Sequence, residues 1–424
     1  MNPAHVGYCI VFTALALAGA RAGDSDGPVS EVKSETKNTM AKNDGNWCDW
    51  LSGKPGLLYE AKKKDNPWFQ ELHIGGRFQY QLGYVSGTDV RGNDFHETHD
   101  EFRRARIETS TQFLKYFHSE INVNLVDDNR FRGGGRELDW GYRDFDTLTL
   151  TFDYADLFPT GPFDDIEFTY GRMKLKVGEE DHESSRRILT LERSALADKI
   201  GGAQSRPTGF LADLEKGNWN ILLGLFSGEV DEAELAGWGA GKAYYGSVSW
   251  QATKEFRLLL DYVQNDPKGG EDILGYAWTF SLGGVYQADR WGVMTNLVYG
   301  DNGGVAHGWN NPDRQGDFHG VVFMPWYWIL EKKLQLVFQY QYQGADEIEG
   351  VRIGSRYVRA SHSTPTVDLD SGYGDSHHSY YLGLNYYLCG HNAKIMAGIS
   401  HETMRARTDT FDATSYVIGF RTYF

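Results

Sequence analysis

From residue 72 onward the chain alternates. Leu72, Ile74, Gly76, Phe78, Tyr80, Leu82 and Tyr84 share one parity, and His73, Gly75, Arg77, Gln79, Gln81 and Gly83 the other. A period of two puts successive side chains on opposite faces of a β-strand. The pattern recurs over 72–84, 100–112, 115–126, 147–156, 166–173, 206–214, 217–226, 242–251, 254–264, 274–287, 290–300, 316–326, 332–342, 377–388, 392–402 and 414–424, which predicts 16 strands. The links between them alternate in length. Long ones cover 85–99, 127–146, 174–205, 227–241, 265–273, 301–315, 343–376 and 403–413, separated by short turns such as Leu114, Ala252-Thr253 and Ala288-Asp289. The link at 157–165, with Pro159 and Pro162, is long for its place among the short turns. Transmembrane barrels have long outer loops and short periplasmic turns. The predicted fold is all-β, a 16-stranded antiparallel transmembrane barrel over 72–424.

The two faces of the strands suit lipid outside and water inside. Leu334, Leu336, Phe338 and Tyr340 oppose Gln335, Gln339 and Gln341, while Phe117, Ile121, Val123 and Leu125 oppose His118, Glu120, Asn122 and Asn124. A barrel of this size is too wide for side chains to fill, so the polar faces are expected to line water. A mean hydropathy of −0.50 fits, because only alternate strand residues meet lipid. After the N-terminus no apolar run is long enough for a membrane-spanning helix. The formal net charge of −16 disfavours a nucleic-acid partner.

The N-terminus reads as an export signal over 1–22. Tyr8–Ala18 form a short apolar core, and Ala20-Arg21-Ala22 follows as a small-x-small cleavage site. Residues 23–71 read as a periplasmic linker and anchor segment: 23–45 are polar, while 46–71 carry Trp47, Trp50, Leu51 and Trp68. The mature chain keeps two cysteines, Cys48 and Cys389. Cys389 falls in a short turn and Cys48 before the first strand, so both are expected on the oxidising periplasmic side, as a possible disulfide. The alternative is two unrelated thiols.

No motif marks catalysis. Gly237-Trp238-Gly239-Ala240-Gly241-Lys242 lacks the first Gly and the final Ser/Thr of a phosphate loop. The adjacent His377-His378 would sit on opposite strand faces, which suits a rim better than a metal site, and His182 beside Glu180 and Glu183 reads as a solvated loop residue. The expectation is a non-enzyme without cofactor or metal.

The most specific stretch follows the fifth strand. Gly171-Arg172-Met173-Lys174-Leu175-Lys176-Val177-Gly178 leads to Ser184-Ser185-Arg186-Arg187-Ile188-Leu189-Thr190-Leu191-Glu192-Arg193-Ser194. With Phe102-Arg103-Arg104-Ala105-Arg106-Ile107, Leu223–Gly228 and Leu382–Leu388, it resembles the phosphate-selective porin family. The resemblance implies an outer-membrane homotrimer that passes small anions, phosphate among them, by passive diffusion. It also implies a third long loop folded inward to narrow the pore. The C-terminal Tyr416–Phe424 run is similar to the last strand of outer-membrane barrels, with Phe424 as the signal for the barrel assembly machinery.

Guanidinium and ammonium groups in a narrow neck offset an anion's lost hydration. The candidate pore-lining residues are therefore Lys174, Lys176, Arg186, Arg187 and Arg193 in the loop, and Arg77, Arg104, Arg106 and Arg257 on polar strand faces. One departure stands against them: Glu179-Glu180-Asp181-His182-Glu183 directly follows the lysines. Alternatives are a general or cation-preferring porin, and a structural or adhesive barrel with partner-binding outer loops.

Overall fold

The computed structural model describes residues 47–52, 56–62, 64–126, 131–132, 140–201, 206–228, 234–239, 241–267, 273–307, 311–360 and 372–424. The expected export signal and most of the polar linker lie outside these residues. Sixteen strands form the wall: β1 (Phe69–Thr88), β2 (Asp94–Phe113), β3 (Phe117–Val126), β4 (Trp140–Asp153), β5 (Asp165–Arg172), β6 (Thr208–Lys216), β7 (Trp219–Ser227), β8 (Lys242–Gln251), β9 (Phe256–Asp266), β10 (Trp278–Gln287), β11 (Trp291–Asp301), β12 (Asp317–Leu330), β13 (Leu334–Ala345), β14 (Ser376–Tyr387), β15 (Ala393–Ala406) and β16 (Asp409–Tyr423). Each pairs antiparallel with its neighbour in sequence. β1 closes the ring on β16, from Arg77 opposite Tyr423 to Thr88 opposite Asp412. Closure gives every wall strand a strand partner on both sides, as a lipid environment demands. Among the described residues no helix is long and apolar enough to cross a membrane.

The outer face is apolar with aromatic rims. Trp219 and Trp250 stack at 5.4 Å near the short-turn end, and Tyr84 and Tyr416 lie 6.1 Å apart toward the other. Leu223, Leu260, Leu282 and Leu297 stand exposed between. Such girdles seat amphipathic rings at the two membrane interfaces.

Two links read as long from sequence are short. β1 and β2 run on past the apolar band and turn within 89–93, and β15 and β16 turn at Arg407 and Thr408. Above the lipid the outward positions become polar, so the alternation loses its apolar half while the backbone ladder continues.

The lumen is also less empty than its polar faces suggest. Residues 173–201, which follow β5, fold inward with two short helices, Glu179–His182 and Ala195–Ile200. Residues 346–360, which follow β13, enter after them with the helix Arg356–Ala360. Leu175, Val177, Leu191, Leu196 and Ile200 join Ile353, Tyr357 and Val358, and pack on Val263, Met294 and Phe318 of the wall. One part of the interior is thus a packed hydrophobic core and not water, because a loop this long brings its own apolar side chains.

At the short-turn end, helix Trp47–Ser52 lies beneath the barrel and Leu57–Glu60 pairs along the start of β1. Cys48 and Cys389 are joined as a disulfide, with Cα atoms 5.1 Å apart. Leu51 is buried against Cys389 and Ala393, and Asn392 Nδ2 donates to the Leu51 carbonyl at 2.8 Å. Trp50 and Trp68 are exposed, so Leu51 and the disulfide anchor the segment and these two tryptophans do not.

A candidate pore constriction

The inward loop is held by long-range ties that its sequence does not announce. Its Gly178 N–H donates to Asp261 Oδ2 on β9 at 2.7 Å, and its Glu179 N–H to Asn296 Oδ1 on β11 at 2.7 Å. Gly178 turns in at φ +80°, and Gly283 on β10 makes room for Glu179, whose Cγ would lie 2.3 Å from a Cβ there. Farther on, Ala195 N–H donates to Gln341 on β13 at 2.8 Å, Asn385 of β14 to the Leu189 carbonyl at 2.8 Å and Lys394 of β15 to the Ile188 carbonyl at 2.9 Å. On β16, Arg421 donates to the Leu191 carbonyl, and Tyr423 OH to the Ser185 carbonyl at 3.0 Å. These ties draw the loop toward β1–β2 and β8–β16. The opposite wall, β3–β7, presents partly exposed Asn122, Thr149, Thr151 and Thr169 and exposed Glu120 to the lumen.

Several expected cations meet where loop and wall converge. Arg77 Nε lies 2.6 Å from Glu108 Oε1, and Arg186 Nη2 lies 2.7 Å from Glu108 Oε2. Arg186 also sits over the Tyr423 ring at 5.3 Å. Arg106 and Arg206 grip opposite oxygens of Asp146 at 2.6 and 2.8 Å. Arg104 donates to Gln79 Oε1 at 2.7 Å, and Arg103 pairs with Glu192 at 2.8 Å. Burial acts to raise the Glu192 carboxyl, but the Arg103 and Arg104 guanidiniums and the Arg103 hydrogen bond outweigh it and hold it down to about 2. Six arginines thus face three carboxylates in one belt.

The other expected cations are placed differently. Lys174 and Arg193 converge on buried Asp181, Arg193 at 3.1 Å. Arg193 also donates to the carbonyls of Glu180 and Glu183, both at 2.8 Å, so it clamps the loop. Arg257 pairs with Glu179 on the β9 side, away from the belt. Arg187 pairs with Glu183 at 3.0 Å, with both side chains over 40% exposed. Lys176 is exposed, and its carbonyl accepts from Tyr245 OH at 2.6 Å. The acids of 179–183 that seemed to oppose an anion path are mostly spent inside the loop. His182, read as solvated, reaches Asp261 at 3.0 Å, because the short helix packs it against β9. His377 and His378 do point apart: His377 is buried against Glu402 at 3.0 Å, and His378 meets Tyr340.

Arg103 and Arg206 were not among the expected pore residues. The Phe102–Ile107 run offered the first signal: a β-bulge between Gln79 and Tyr80 shifts the register and lets consecutive arginines reach inward.

The fold is that of outer-membrane channels. Similar solved structures include DcaP of Acinetobacter baumannii (13% identity, 87% of this chain and 100% of that one, TM-score 0.53). An anion-selective porin from Comamonas acidovorans shares 11% identity over 83% and 99% of the two chains, with a TM-score of 0.52. The trimer form of OmpT from Vibrio cholerae shares 13% over 83% and 99%, with a TM-score of 0.50. No curated protein matches the chain. The family model for phosphate-selective porin O and P matches residues 72–240, a stretch that holds the inward loop and the arginine-rich strand β2.

Proposed function

We propose that this outer-membrane porin passes small solutes by passive diffusion and prefers anions, phosphate among them. The observation that carries the preference is the belt: six guanidiniums against three carboxylates leave three positive charges in excess at the loop–wall junction. Arginine holds its charge and offers a forked pair of donors to an oxyanion, so an anion that sheds part of its water there finds replacement donors. The anion-selective porin of similar fold and the family match support this reading, and the trimer form of OmpT supports a homotrimer. Within it, Arg77, Arg104, Arg106 and Arg186 act on the solute with Arg103 and Arg206, while Arg193 and Lys174 brace the loop. Ion substitution in planar bilayers tests it. Replacing chloride with a bulky anion should reduce the current more than replacing potassium with a bulky cation; the reverse order would overturn the anion preference.

A further inference from the structure

Below the arginine belt, the lumen wall changes sign. On β5 and β6, Asp165 lies directly opposite Glu215, and Glu167 directly opposite Asp213. Asp153 of β4 is the partner of Glu167 on its other side. Phe168 and Phe210 on the same strands are exposed toward lipid, so these odd-numbered positions face inward. Like charges directly opposite one another across a ladder destabilise it, yet five carboxylates form one contiguous block. Glu215 is 8% exposed, and its Oε2 has no hydrogen-bond partner. Among the described residues, Lys176 is a base whose charge reaches Asp213, and Asn220 donates to the same carboxylate. In the turn beneath, Lys216 is taken by Asp164 at 2.9 Å.

The block lies at the short-turn end of the strands, the periplasmic mouth. Asp146 in the belt and Asp153 in the block are seven residues apart on β4, roughly 23 Å along the strand at about 3.3 Å per residue. The Debye length at 0.1 M salt is about 10 Å, so the zones act as separate fields there. Among the described residues no His, Cys, Asp or Glu group converges to hold a metal ion, so the block acts through its field and not as a ligand cage.

We infer that the lumen is bipolar, with an anion-attracting arginine belt above a cation-attracting periplasmic mouth built from Asp165, Glu167, Asp213 and Glu215, and that the pore therefore rectifies. The inference rests on the diffusion-pore reading above. When the periplasmic side is positive, anions are driven in through the belt and cations through the acidic mouth, so both fill the lumen. The opposite polarity draws both out and depletes it. The mouth also admits cations that partly offset the belt, so its acids set how strong the anion preference is.

The test is current–voltage recording on the full chain in planar bilayers, with protein added from one side. In 0.1 M KCl the currents at opposite polarities should differ by at least about 1.5-fold, and the ratio should fall toward unity in 1 M KCl, where the Debye length is about 3 Å. The near-isosteric Glu167→Gln, Asp213→Asn, Glu215→Gln variant should lose the asymmetry and gain anion preference. A conducting wild type with a symmetric trace at 0.1 M would overturn the inference and leave the pore reading intact. So would an asymmetry that the folded triple variant retains. Folded protein that conducts no current would overturn both.

Discussion

The Arg186 guanidinium on the inward loop lies 2.7 Å from the Glu108 carboxylate on β2, which also holds Arg77 from its other side at 2.6 Å. The two neighbouring loop arginines are therefore not equivalent. Arg186 is part of the belt, while Arg187 pairs with Glu183 four residues earlier in sequence, in solvent. Exposed pairs of that kind contribute little. Arg186→Ala should lower anion preference several-fold, and Arg187→Ala should leave it close to wild type. Zero-current potentials of the two single variants check this. Equal effects would show that the belt is not the selective element.

Asp181 accepts from Lys174, forms an ion pair with Arg193 and is fully buried as a side chain. Removing one partner from a buried ion cluster costs about 3–5 kcal/mol, because the remaining charge is stranded. Asp181→Ala should loosen the loop while the barrel stays folded. The expected readout is normal heat-modifiability on gels with larger, noisier single-channel currents. Quiet wild-type currents would mean that the loop does not depend on this clamp.

The disulfide closes 341 residues of sequence. In the chain-entropy picture a cross-link over a loop this long restricts the unfolded state by about 6 kcal/mol. Protein purified without reductant should show no titratable thiol until it is reduced. A Cys48→Ser, Cys389→Ser variant should unfold at lower temperature by the gel-shift assay. Two free thiols in the unreduced wild type would contradict the pairing.

Phe424 directly follows β16 at the seam. Gly76 N–H donates to its carbonyl at 2.9 Å, and its own N–H donates back to Gly76 at 3.2 Å. Its ring remains 46% exposed, available to an assembly partner before closure. Deleting Phe424 should reduce the yield of folded, heat-modifiable barrel at least severalfold in cells. In detergent refolding, where no assembly machinery acts, the loss should be smaller. Equal losses in both settings would assign the residue to stability alone.

All sixteen strands were legible because lipid and water enforce the period of two along the apolar band. The extensions at Val85–Thr88 and Asp94–His99 were not, since outside the band Ser86, Thr88, His96 and Thr98 carry no apolar signal. The inward loop was legible as a motif, but its grip was not: Arg421 meets the Leu191 carbonyl across 230 residues, and no local pattern encodes such a pair. The acidic mouth did leave a trace. Asp165-Ile166-Glu167 and Asp213-Leu214-Glu215 repeat the same Asp-x-Glu spacing at the short-turn ends of consecutive strands, and antiparallel pairing brings them face to face.

The most direct test of the central claim is the zero-current potential of the wild-type pore in a tenfold KCl gradient at moderate salt. An anion-preferring lumen lets chloride lead, so the dilute side should become negative relative to the concentrated side, and added phosphate should reduce the chloride current. A dilute side that becomes positive would show that potassium leads and would contradict the account.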